Sequence, residues 1–152
     1  MSLTIKADFT IPELSTYVEL EVKRYIDSVI EAYIKAGTAM VEDARGRTKD
    51  LGASGGGSFG NITWNLRSST GCAVYNDGVK IFSYFPVLST GAEGAATGSD
   101  YADELSQGIG GIQLIVVAGM DYAAAVESKG YNVITATSIE AEQILERYLN
   151  AA

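Results

Sequence analysis

Few residues in this chain have the type and spacing to do chemistry. Asp100, Asp103 and Glu104 lie close together in sequence. With backbone carbonyls they could take a hard cation, which prefers oxygen ligands. The spacing of a calcium-binding loop is missing, however, and exposed acids are most simply solvated. Gly55, Gly57 and Gly60 match G-x-G-x-x-G. In a dinucleotide site that pattern follows a strand and opens a helix, so that backbone N–H groups meet the pyrophosphate. Here it follows a long helical stretch and a polar run, and a flexible linker is the better reading. Neither a phosphate loop with Gly-Lys-Ser/Thr nor a Ser-x-x-Lys nucleophile is present. Asn61-Ile62-Thr63 is a glycosylation sequon by pattern only.

Cys72 is the single cysteine, and the chain has no histidine. One thiol cannot form an intrachain disulfide or a four-thiolate zinc site. Without histidine there is no His-based acid–base catalysis and no His-containing metal site. Cys72 reads as a small buried hydrophobe. The residues therefore predict no catalytic centre, no cofactor and no metal.

The elements that position these residues belong to a chain of 152 residues, 47% hydrophobic and 20% charged. That is one domain with an ordinary core. The net charge is −8, with only 11 scattered Lys and Arg. Such a chain repels phosphates and predicts no specific nucleic-acid binding. Met1 to Ala7 carries no signal-peptide pattern, and the apolar run Ile112 to Met120 is too short for a bilayer. The expectation is a soluble protein made in a cytoplasm, without a membrane partner.

Leu3, Ile5, Ala7 and Phe9 alternate with polar residues and predict a half-buried strand. Thr10, Pro12 and Glu13 predict a capped helix start. Val18, Val22, Tyr25, Val29, Ala32, Ala36 and Met40 recur at helical spacing, giving a helix from about Glu13 to Ala44. It would extend on the order of 45 Å. A helix that long must cross the whole fold or project into a neighbour, and Gly37 could break it. Gly52 to Gly60 reads as a flexible loop, followed by a short helix from Asn61 to Ser68. Trp64 in that helix reads as an anchor on the sheet, with an interface role as the alternative.

Gly71 to Tyr75 and Val79 to Phe85 flank Asn76-Asp77-Gly78 and predict a tight hairpin. Val87 to Gly111 is rich in Gly, Ala and Ser. It predicts a mobile or assembly-ordered loop, with at most a helical turn near Tyr101 to Leu105. Further along, Ile112 to Val117 predicts a buried strand, Tyr122 to Ser128 a short helix and Tyr131 to Ile134 a last strand. Thr137 and Glu140 predict a capping box that opens a final helix to about Leu149. The expected fold is α+β: a long N-terminal helix and a C-terminal helix packed on a small, mainly antiparallel sheet.

Three segments, in order, carry a resemblance. Asp43-Ala44 ends the long helix. Thr63-Trp64-Asn65-Leu66-Arg67-Ser68-Ser69 precedes the hairpin. Gly119-Met120-Asp121-Tyr122-Ala123-Ala124-Ala125-Val126-Glu127 follows a hydrophobic strand. The chain resembles, from about Tyr25 to Tyr131, the tail-component or tail-completion proteins of long-tailed bacteriophages. Trp64 stands where that family has glycine, and the glycine expected after Glu127 comes at Gly130.

The resemblance implies a single tail-completion-like domain, 1–152; the residues themselves predict the flexible loops near 52–60 and 87–111, and the second is longer than the family would have. It implies a non-enzymatic subunit of a homo-oligomeric ring at the head–tail connection, in contact with other neck and tail proteins. The virion would be its location, after assembly in the bacterial host cytoplasm, and DNA could pass through the lumen. The residues it marks for structure or interface are Trp64, Leu66, Arg67, Tyr122, Val126 and Glu127. Tyr122 and Val126 are expected to pack inward on the Ile112–Val117 strand. Arg67 and Glu127 are expected to pair, within the subunit or across a subunit boundary. The alternative reading is a small acidic module that takes a cation or a basic protein partner.

Overall fold

The computed structural model describes residues 10–50 and 63–151. The alternating stretch Leu3 to Phe9, the glycine loop Gly52 to Gly60 and the Asn61 cap lie outside the described residues. Helix α1 spans Ile11–Asp50. Its start is the capping box read from the sequence. Thr10 N and Thr10 Oγ1 donate to Glu13 Oε2 at 2.7 and 2.8 Å, and Glu13 N donates back to Thr10 Oγ1 at 3.4 Å. These bonds satisfy donors that a helix end otherwise leaves open. Gly37 does not break the helix. It lies where α1 crosses the sheet, and a Cβ there would press on Leu114 and Cys72.

The sheet has three strands in the order β2-β1-β3, where β1 is Thr70–Asn76, β2 is Val79–Tyr84 and β3 is Ile112–Ala118. Both pairings are antiparallel: Cys72 faces Tyr84 on one side and Val116 on the other. The Asp77-Gly78 turn has positive φ at both residues, as the hairpin motif requires. β1 is central and buried from Thr70 to Tyr75. One apolar cluster, Ala73, Tyr75, Ala102 and Val117, lies between the sheet and the helix that carries Ala102. A second, Ala36, Met40 and Ile144, joins α1 to the last helix, with Leu114 and Val116 against it.

The segment predicted as a long loop is largely a helix: α3 spans Ala92–Ser106. Its Gly, Ala and Ser content reflects close packing and not mobility. A Cβ on Gly94 would collide with the Asn65 backbone, and one on Gly98 with Ser69 O and the Phe85 ring. Small residues let α3 lie almost backbone to backbone on α2 (Asn65–Ser69) and on the start of β1. Trp64 stands just ahead of α2 and not inside it, with φ 63 and a half-buried side chain.

Helix α4 is Ala123–Glu127 and α5 is Thr135–Leu149. Residues Tyr131 to Ile134 form no strand and lead into α5. The Thr137–Glu140 box is also absent, because α5 starts two residues earlier and its N-cap position, Ile134, offers no side-chain cap. Among the described residues, no helix is long and apolar enough to cross a membrane.

Candidate assembly surface

The three segments that carry the resemblance meet around the C-terminal part of α1. Asp43 Oδ2 accepts from Thr137 Oγ1 at 2.7 Å, which ties α1 to the start of α5. Arg45 reaches the other way. Its guanidinium donates to Thr70 O at 2.7 Å, Pro86 O at 3.0 Å and Ser68 O at 3.3 Å. One planar fork thus holds the end of α2, the start of β1 and the chain beyond β2. Burial pulls the Arg45 pKa down. Gly119 N donates to Ser69 O at 3.2 Å and brings the third segment to the second.

Glu127 closes the arrangement. Its Oε1 accepts from the backbone N–H of Val133, Ile134 and Thr135 at 3.2, 2.8 and 2.9 Å, and its Oε2 accepts from Thr135 Oγ1 at 2.7 Å. This is a helix cap supplied from another helix. A carboxylate at a helix N-terminus also meets the positive end of the dipole. Burial by itself pushes the Glu127 pKa up, but the bonds from Ile134, Thr135 and Val133 outweigh it, and the net shift is downward.

The expected Arg67–Glu127 pair does not form within the subunit, because the Glu127 carboxylate is committed to α5. Arg67 is buried on α2, beside buried Leu66, and burial pulls its pKa down. The inward packing expected of Tyr122 and Val126 is also absent. Tyr122 is 42% exposed, Val126 is half-buried, and α4 has no buried residue. A single short turn has too little length to lay two side chains on a strand. α4 is instead the carrier of Glu127.

The acidic patch resolves into different roles. Asp103 accepts from Tyr75 Oη and Lys80 Nζ, both at 2.7 Å. Tyr75 and Lys80 are cross-strand neighbours on β1 and β2, so this contact locks the hairpin onto α3. The bonds from Lys80 and Tyr75 hold the Asp103 carboxyl below its usual range. Asp100 and Glu104 stay exposed on α3. Among the described residues, no cluster of three or more possible ligands is placed to hold a metal. Cys72 is fully buried, and desolvation pushes its thiol up to about 12, which keeps it out of thiolate chemistry.

Among the described residues, the first part of α1 carries a run of exposed large apolar side chains. Ile11, Leu14, Tyr17, Val18, Leu20, Val22 and Tyr25 are all exposed, Ile11 by 83% and Tyr25 by 70%. The stripe that reads as core-facing in sequence is core-facing only from about Val29 onward. Among the described residues, none buries the stripe ahead of it. Arg45 carried no sequence signal beyond its place next to Asp43-Ala44. The capping role of Glu127 had none, since it depends on a chain reversal between α4 and α5. No family model, curated protein or solved structure matches this chain.

Proposed function

We propose that this protein is a non-enzymatic structural subunit of a tailed-phage virion, a ring-forming component at the head–tail connection. The observation that carries the reading is the exposed first half of α1. Seven large apolar side chains stand exposed along this half of α1, five of them on one stripe, and exposed apolar surface of that kind marks an interaction site. A chain built this way works by joining something.

The resemblance to tail-completion proteins supplies the class of assembly. Its three segments are the ones that converge through Asp43, Arg45, Gly119 and Glu127, so they build the frame that holds the C-terminal part of α1. In such a ring the partners are neighbouring copies together with other neck and tail proteins. A net charge of −8 suits a lumen through which DNA passes without sticking.

The test is genetic and visual. Deleting the gene from its phage or prophage should leave DNA-filled heads and unattached tails under the electron microscope. Supplying the protein in trans should restore joined particles. Normal yields of infectious virions from the deletion strain would remove the assignment.

A further inference from the structure

We infer that α5 is a hinged lid, which lifts from α1 as a unit and uncovers the apolar face that α1 and β3 share. Within α5 the buried residues are Thr137 and Ile144, and Ile139 stands 77% exposed. Among the described elements, α1 is the one that α5 packs on closely. Toward the sheet α5 leaves a groove of about 450 Å³, with Ala141 and Leu145 on one side and Leu114 and Val116 on the other. Side chains that line a gap forgo the dispersion contacts of a packed core, so the groove side holds α5 weakly.

A latch holds the first turn of α5. The Glu127 carboxylate accepts from the N–H groups of Val133, Ile134 and Thr135, and Asp43 accepts from the Thr137 hydroxyl. Asn132 Oδ1 adds a bond from Ala136 N at 3.1 Å. Further along, Ile144 packs against Ala36 and Met40. The Glu127 bonds span residues 128–130, which are exposed, and Gly130 has φ 86. A glycine there can change its backbone angles without a side-chain clash, as a hinge requires. Latch and hinge are thus adjacent, and breaking the Glu127 bonds frees the turn.

The body keeps its own ties when α5 lifts. α1 lies close on the sheet at Gly37, against Leu114 and Cys72, and Arg45 clasps the backbone at Ser68, Thr70 and Pro86. None of these contacts involves α5. A helix of 15 residues without support is marginal in water, so a lifted α5 loses its backbone bonds as well. Elements held this way open locally at a lower free energy than core strands. Lifting bares Met40, which is 3% exposed in the closed form, together with Leu114 and Val116. The exposed apolar face of α1 then runs on to the edge strand β3. The lid rests on packing inside the subunit and not on the virion assignment.

Hydrogen exchange of the full chain in low urea, resolved by segment, tests the lid. α5 should exchange at least about 10-fold faster than β1, with little dependence on urea. Glu127→Gln should raise exchange in α5 about 5–30-fold, the change in population that a lost cap produces. Gly98→Val strains the body on its α3 side, so it should speed exchange in β1 and leave α5 at the wild-type rate. A thiol reagent gives a second reading. Met40→Cys, beneath α5, should label at the rate at which α5 opens, and the fully buried Cys72 should label more slowly, with unfolding of the whole chain. One common rate for α5 and β1, shifted together by both variants, would overturn the lid. Labelling of Met40→Cys no faster than Cys72 would overturn it as well.

Discussion

Thr137, 1% exposed, donates its hydroxyl to Asp43 Oδ2 at 2.7 Å and so joins the first and last helices, 94 residues apart in sequence. The bond is charge-assisted and part-buried. Thr137→Val keeps the shape and removes the donor. The expected cost is about 1–3 kcal/mol, because a carboxylate loses one partner inside the fold. For a chain of this size that lowers Tm by about 2–4 °C per kcal/mol. A melt of Thr137→Val that overlays the wild type would show that Asp43 is satisfied without it.

Glu127 makes stability depend on acid. Its pKa is lower in the folded chain than the ordinary 4.5, so the unfolded chain binds the proton more readily. The stabilisation is therefore complete above the unfolded value and is lost as pH falls through the lower folded value. Glu127→Gln should cost about 1–2 kcal/mol at neutral pH, the usual range for a lost helix cap. The gap between variant and wild type should close in acid. Urea melts from pH 7 down to pH 3 measure both, and a gap independent of pH would assign the effect to packing.

Arg45 is a three-way clasp on backbone carbonyls. Lysine keeps the charge but has no planar fork and cannot serve Ser68 O, Thr70 O and Pro86 O together. Arg45→Lys should cost about 2–3 kcal/mol. Hydrogen exchange should rise first around Ser68 to Thr70. Equal destabilisation by Lys and Met would contradict a role that depends on fork geometry.

Gly98 sets the spacing between α3 and the start of β1. Gly98→Val should destabilise by about 3 kcal/mol through overpacking against Ser69 O and Phe85. Ala96, exposed on the same helix, is the control, and Ala96→Leu should change stability by less than ~0.5 kcal/mol. If the two variants melted together, α3 would not be seated as described.

Surface placement separates Tyr122 from the core. Tyr122→Ala should shift stability by no more than about 0.5 kcal/mol, since 42% of the residue remains in solvent. A loss of several kcal/mol on thermal denaturation would restore the inward packing that its helical spacing from Val126 suggests.

Local rules were enough for much of this fold. The Thr10–Glu13 box, the periodic stripe of α1, the Asp77-Gly78 hairpin and the Ile112 strand each depend on neighbours within a few residues, and all are legible in the sequence. So is the α+β class. The absence of histidine and the presence of one cysteine are likewise properties of the sequence alone.

Tertiary structure decided the rest, because those features depend on what a residue meets and not on its type. The Gly- and Ala-rich stretch after Val87 looked like a loop because its glycines lower helix propensity and its alanines give little apolar periodicity to set against them. Its small residues are instead what lets this helix lie against α2 and β1, a distance no local pattern encodes. Glu127 caps α5 and does not pair with Arg67, because the chain reversal brings four donors to its carboxylate. α1 shows the same division. Its apolar stripe is continuous from Ile11 to Met40, and the sequence gives no sign of where burial stops. The end of α5 near Ser28 sets that limit, and the half beyond it stays exposed.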